Sequence, residues 1–339
     1  MDINSVLKTF KENDIRKIKL GIFDIDGLFR GKYISIDKFI SSVESSLSFC
    51  DVLFGWDVTD SLYDQKSLTG WHTGYPDAQA KIDIDSFRII PWEKDTALFI
   101  MDFYDAHGEP YPLSPRNLLQ KLIDRANELG FQICLSAEYE FFLFDETSHS
   151  LQEKNFFNLK PLSPGMFGYS IVRASTNSDI VHSIIDAMEN YDIEIEGIHT
   201  ETGPGVYEAA IRYDTGICAA DKAALFKTGI KELASKQGLI ATFMAKWNAD
   251  LPGCSGHIHH SLWDRNTETN LFADPDSENG LSELALHFIA GQLKLMPSMT
   301  ALVCPTINSY KRTVPGLWSP TNVSWGIDNR TTAIRAIPS

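Results

Sequence analysis

Basic residues are scarce in this 339-residue chain: Lys and Arg total 30 against 45 Asp and Glu, a formal net charge of -15. Such a field repels phosphate backbones and argues against nucleic acid as the main partner. Cysteine is equally sparse. Cys50, Cys134, Cys218, Cys254 and Cys304 are odd in number, widely scattered and without a C-x-x-C pair. That argues against a zinc cage or a dithiol motif and fits a reduced, cytoplasmic setting. No stretch approaches the roughly 18 uninterrupted apolar residues of a membrane helix. The opening MDINSVLKTFKENDIRKIKL alternates charge with apolar residues where a signal peptide would carry a long apolar run. Internal repeats are also missing, so a solenoid is not expected.

What is present is an ordinary globular composition, 43% hydrophobic, in a chain long enough for two domains. An amphipathic helix is expected near Ser5 to Glu12, followed by short apolar runs (IKLGIFDI, KYISI, IDSFRIIPW, TALFIMDFYD) separated by Gly and Asp turn signals. The Pro- and Gly-punctuated HGEPYPLSPRN breaks the pattern, which places a domain boundary near Pro110 to Pro115 and gives domains of 1–110 and 111–339. Beyond it, Leu118, Leu119, Leu122, Ile123 and Ala126 share a helical face that ends at Gly130, a C-cap signal. Helical patterns then alternate with strand-like runs, which indicates an α/β or α+β catalytic domain.

Four segments carry chemistry. In Ala137-Glu138-Tyr139-Glu140-Phe141 the two carboxylates are two residues apart, so on a strand they face the same side. A solvated strand face satisfies that pattern; the apolar run that follows favours a partly buried pair bridged by a cation. In Glu196-Gly197-Ile198-His199-Thr200-Glu201-Thr202-Gly203-Pro204-Gly205-Val206-Tyr207-Glu208 a Gly-Pro-Gly turn can fold Glu201 and Glu208 toward one point. Read alone, this stretch is better described as a surface loop with acids on its shoulders. In Gly253-Cys254-Ser255-Gly256-His257-Ile258-His259-His260-Ser261 a small-residue loop enters an H-x-H strand on which His257 and His259 share a face, suited to a metal ligand plus a nucleotide or substrate contact. Late in the chain, Arg312, Arg330 and Arg335 form a cationic group whose guanidinium forks suit carboxylate and phosphate, with surface salt bridges as the alternative.

The order E-x-E, E-x-G-P-G-x-x-E, G-x-H-x-H-x-S, N-S-Y-K-R-x-V-P-G and D-N-R resembles the glutamine synthetase family. Shorter matches at Asp26-Gly27-Leu28-Phe29-Arg30-Gly31-Lys32, Pro76-Asp77-Ala78 and Ala241-Thr242-Phe243-Met244-Ala245-Lys246 extend the resemblance to nearly the whole chain. It implies an α+β fold: an N-terminal β-grasp domain, then a catalytic domain built as an open barrel of curved strands backed by helices. It further implies a homo-oligomeric ring in which the neighbour's N-terminal domain completes each active site. The implied reaction is ATP-dependent ligation of glutamate to an amine through a γ-glutamyl phosphate.

Matched motif by motif, Glu140, Glu201 and Glu208 correspond to one Mg2+ or Mn2+ site, and Glu138 and His257 to a second. Glu196, Tyr213, His259, Ser261 and Arg335 fall at ATP positions, while Gly253, Arg312 and Arg330 fall where glutamate is held, the two arginines also being the catalytic candidates.

The departures from the family pattern are informative. Trp318 stands where ammonia-using members carry, in V-P-G-x-E-x-P, the glutamate that deprotonates ammonium. The motif F-D-G-S-S is replaced by Phe54-Gly55-Trp56-Asp57-Val58-Thr59-Asp60-Ser61, leaving Asp57 or Asp60 to supply charge at an amine site with Trp318. An aromatic there favours a bulkier, less polar amine, such as an alkylamine or polyamine. Pro252 stands where asparagine is frequent, which opens a choice of acid other than glutamate. The family continues past the segment that closes this sequence at Ile337-Pro338-Ser339, with a further metal-ligand glutamate and an arginine. The alternatives to an organic-amine ligase are an ammonia-using glutamine synthetase and a non-catalytic relative that keeps the fold for binding.

Overall fold

The computed structural model describes residues 1–63 and 68–338; Ser339, quoted above, lies outside them. The chain forms two compact units. One comprises Met1–Arg125, Ile185–Glu194 and Ala220–Gly229, and the other Ala126–Ile184, Ile195–Ala219 and Ile230–Ser339.

In the first unit, α1 (Ile3–Glu12), β1 (Lys17–Phe23), β2 (Phe29–Ile34), α2 (Ile36–Ser45), β3 (Leu47–Cys50), β4 (Asp77–Ile89) and β5 (Thr96–Tyr104) precede α3 (Pro115–Glu128). The strands make a mixed sheet in the order β2-β1-β5-β4-β3, parallel only between β1 and β5. Asp2 caps α1 by accepting from the Asn4 and Ser5 backbone N–H groups, and Ser35 caps α2 through Lys38 N–H. Their apolar faces bring Phe10 and Phe39 onto Phe99 of the central β5, with Phe103 buried farther along it. Burying each such ring contributes roughly 1.5–3 kcal/mol.

The unit also buries a charge network. Arg116 of α3 donates to Asp221 with two bonds of 2.9 Å, to Asp102 at 2.6 Å and to Asp83 at 2.5 Å. The apolar face expected for α3 is only partly used: Leu118 and Leu122 stay exposed while Leu119 and Ile123 are half-buried. Positions four apart share a burial line, and the next residue round lies about 100° away. Gly130, expected as the cap, has φ +85° just past the helix.

The second unit is organised by β6 (Phe131–Phe144). The later elements are α4 (Ser148–Glu153), α5 (Ile171–Thr176), α6 (Ser178–Asn190), β7 (Ile195–Thr200), β8 (Val206–Ile211), β9 (Asp214–Thr215), α7 (Gly216–Lys236), β10 (Ile240–Thr242), β11 (Gly256–Asp264), α8 (Glu283–Val303), α9 (Ile307–Arg312), β12 (Trp325–Ile327) and β13 (Ile334–Ala336). One edge of β6 pairs with β8 and β9 and the other with β10 and β11; β7 extends the sheet beyond β8. Phe142, Phe144, Val206 and Cys254 are buried together near Trp247. Tyr139 and Phe141 pack on Phe243, which leaves the alternate residues Glu138 and Glu140 for the opposite face. No helix among the described residues is long and apolar enough to cross a membrane.

Candidate active site

Strand register assembles the acids. Glu140 on β6 lies opposite Glu208 on β8, and Glu208 lies opposite His199 on β7, a straight row across three strands. Two residues back on β6, Glu138 lies opposite His257 on β11. Glu201 follows β7 directly, and its N–H donates to the Val206 carbonyl at 3.0 Å, closing the 201–206 turn. Gly205 permits that turn: its φ is +71°, and a Cβ there would sit 2.5 Å from the Leu143 carbonyl oxygen. The sequence left Glu201 and Glu208 as possible loop shoulders; the structure brings both, with His199, to within 4.8 Å of one another.

Charge in this cluster is poorly compensated. Glu138 accepts from His257 Nδ1 at 2.9 Å and lies 3.3 Å from His259 Nε2, and these histidines hold its carboxyl far below the ordinary range. The same bond to Glu138 raises His257. Burial pushes Glu140 up, partly offset by the Ser255 N–H donated to its Oε2 at 2.8 Å. Burial, followed by the charges of Glu140 and Glu138, pushes Glu208 up to about 7. Four carboxylates with so little positive charge of their own present oxygen donors that suit hard divalent cations, so the residues fit the metal the resemblance implies.

Beside the acids lies a buried guanidinium whose charge acts on Glu140. Arg312, at the end of α9, is only 7% exposed; its Nη1 donates to the Leu317 carbonyl, and its Nε is buried with no partner among the described residues. Gly253 lies directly against it. The arginine therefore holds the backbone next to Trp318 and keeps a free donor. Trp318 is 74% exposed at φ +57° and lines a cavity of about 370 Å³ with Pro315, Gly316, Ser319, Pro320 and Asn322.

Arg330 is exposed and acts electrostatically on Tyr169 and Asp328. Arg335 pairs with Asp328. Glu196 is the bulged, exposed residue of β7, Tyr213 is exposed, and Ser261 accepts from Trp263 Nε1 at 2.9 Å. In the first unit, Asp57 Oδ1 accepts from Thr59 N–H, Thr59 Oγ1 and Ser61 N–H, forming a turn. Asp60 pairs with Arg30 at 2.6 Å, and that guanidinium lies 4.9 Å from the Trp56 ring. Sequence reasoning missed Tyr169 and His199, whose rings lie 4.4 Å apart. The signal for His199 was its spacing: a hairpin closed at Gly203–Gly205 sets it opposite Glu208.

Residues 112–339 match the family described as glutamine synthetase, catalytic domain. The chain belongs to the glutamine synthetase family. It is 49% identical over 332 residues to type-1 glutamine synthetase 2 of Dictyostelium discoideum, covering 98% of this chain and 64% of that protein. It is 41% identical over 330 residues to a glutamate–isopropylamine ligase of Pseudomonas sp, covering 97% of this chain and 72% of the ligase. A solved complex of GmaS with ADP superimposes with a TM-score of 0.84 at 27% identity, over 98% of this chain and 73% of GmaS. The chain thus spans about two thirds of the length of these glutamine synthetase relatives.

Proposed function

We propose that the protein ligates glutamate to an organic amine at the expense of ATP, through a γ-glutamyl phosphate. The observation that carries this reading is the convergence of Glu138, Glu140, Glu201 and Glu208 on one sheet face, with Glu208 raised to about 7 by crowding and burial. Such a set calls for added positive charge.

Glu140, Glu201 and Glu208 would hold one Mg2+ or Mn2+, and Glu138 and His257 a second. Bound there, the cations neutralise the phosphates of ATP and favour in-line transfer. The chain's own groups do the rest. Arg312 offers its unpartnered Nε to a glutamate carboxylate, and the Ser255 N–H fixes the Glu140 rotamer. Arg330 sits in an exposed segment where it can meet developing phosphate charge. Glu196, Tyr213, His259, Ser261 and Arg335 are assigned to ATP, and Gly253 and Arg330 with Arg312 to glutamate. His259 reaches the nucleotide only if it gives up its contact with Glu138.

Trp318 selects the amine. A bulky residue at φ +57° costs about 1–2 kcal/mol, and an indole 74% exposed gains no packing to offset that strain. Strain kept without a packing gain fits a side chain that meets a ligand. The indole offers apolar surface to an alkyl group and its π face to the ammonium. The glutamate–isopropylamine ligase relative supports the same direction. Asp57 and Asp60 complete the amine site if a neighbouring subunit contributes them within a ring, the assembly the family suggests, with residues 1–110 as a β-grasp domain. The five free cysteines agree with a cytoplasmic enzyme.

The test is isotopic. Glutamate labelled with 18O in its γ-carboxylate, incubated with ATP, Mg2+ or Mn2+ and an alkylamine, should yield a γ-glutamyl alkylamide and phosphate carrying one 18O. Unlabelled phosphate, or no amide from any amine, would overturn the reading.

A further inference from the structure

The acid cluster holds a donor that the cation assignments above leave unused. His199 stands opposite Glu208, with Nδ1 3.6 Å from Glu201 Oε1 and Nε2 3.7 Å from Glu208 Oε1. Two donors bound to one ion at about 2.1 Å can lie no more than about 4.2 Å apart. The Nε2 to Glu208 spacing therefore suits a shared ion, and one donor atom from each of His199, Glu201 and Glu208 lies within 4.8 Å of the others.

Two contacts preset the imidazole. Nδ1 lies 3.3 Å from the Thr200 carbonyl; with its hydrogen on Nδ1 and donated there, the ring keeps a free lone pair on Nε2, the nitrogen facing Glu208. A backbone-tethered Nδ1–H with a free Nε2 is the usual state of a ligating histidine. Tyr169 covers one ring face at 4.4 Å and 33°, which fixes the plane. Thr200, itself buried, anchors that cover: its carbonyl accepts from Tyr169 N–H at 2.6 Å, and its hydroxyl accepts from Ser170 N–H and donates to the Phe167 carbonyl.

We propose that His199 ligates, through Nε2, the cation held by Glu201 and Glu208, and that this nitrogen donor makes the site prefer Mn2+ to Mg2+. The proposal rests on the reading that those glutamates bind a cation. Mg2+ takes oxygen ligands and retains its waters, whereas imidazole is a good ligand for transition ions.

The experiment measures Mn2+ in the protein carrying His257→Gln and His259→Gln, which removes the two imidazoles nearest Glu138. Electron spin echo modulation should still show 14N coupling to bound Mn2+, and adding His199→Gln should abolish it. In the otherwise unaltered protein, His199→Gln should weaken Mn2+ binding about tenfold or more while changing Mg2+ binding, read by competition, less than about twofold. Mn2+ bound without nitrogen coupling in the double variant, or equal losses for both ions, would overturn the role of His199 and leave the carboxylate site standing. No Mn2+ binding by the unaltered protein would overturn both. The 14N readout of the double variant keeps the proposal testable even if His199→Gln fails to fold.

Discussion

A Cβ atom on Gly253 would lie 2.2 Å from Cδ of Arg312 and 2.2 Å from the Ala245 carbonyl oxygen. The glycine is therefore the surface on which the buried guanidinium rests, and Arg312 in turn holds the backbone beside Trp318.

Gly253→Ala should displace Arg312. Overpacking of this kind costs roughly 1–3 kcal/mol, and each 1.4 kcal/mol is about tenfold in affinity. The expected result is a KM for glutamate raised about tenfold or more with a smaller change in KM for ATP, measured by initial rates. Equal changes in both would place Arg312 elsewhere than on glutamate.

Trp318→Glu restores a carboxylate at the position where the family's ammonia users carry one. A hydrogen bond to a charged partner contributes about 1.5–3 kcal/mol, so the ratio of kcat/KM for ammonium to that for an alkylamine should rise about tenfold or more. Competition between the two nucleophiles, with products separated by mass spectrometry, reads the ratio directly.

The buried Arg116 network offers a test of stability apart from catalysis. Arg116→Ala leaves Asp83, Asp102 and Asp221 around an empty place, and removing one partner of a buried ion pair costs about 3–5 kcal/mol. Denaturant unfolding should show a loss of that size. Asp83→Asn should cost less, since Asp83 is more exposed than Asp221 and Arg116 keeps two other carboxylates.

Much of the architecture was legible because period and punctuation agreed. The alternation of Glu138 and Glu140 with Tyr139 and Phe141 announced a two-faced strand, whereas the Gly-Pro-Gly turn only allowed Glu201 and Glu208 to converge and, taken alone, read better as a surface loop. The order of motifs carried the family. What the sequence could not reveal was register, since a one-residue slip would turn Glu208 to the other face. The partnership of His199 with Glu208 depends on that register, and the stacking of Tyr169 depends on a long connection anchored by Thr200. The buried Arg116 cluster was invisible because its acids come from β4, β5 and α7, far apart in the chain. Leu118 and Leu122 looked like core and stay exposed.

Glu146 supplies a pH dependence with a definite sign. Hydrogen bonds from Lys154, Ser150 and the Lys160 N–H hold its carboxyl down to about 2, from an ordinary 4.5. A depressed folded-state value means that this contribution to stability is fully present above 4.5 and is lost as pH falls through about 2. Glu146→Gln should remove that part of the acid-unfolding slope, and a carboxyl carbon titration by NMR should place the midpoint near the lower value.

Phosphate release by the purified protein with ATP, glutamate and Mg2+ or Mn2+, run side by side with ammonium and with a panel of alkylamines and polyamines, decides whether an organic amine is the nucleophile. Release that requires glutamate and is faster with at least one organic amine than with ammonium is the predicted result. Faster release with ammonium than with every organic amine, or release that does not require glutamate, would contradict it.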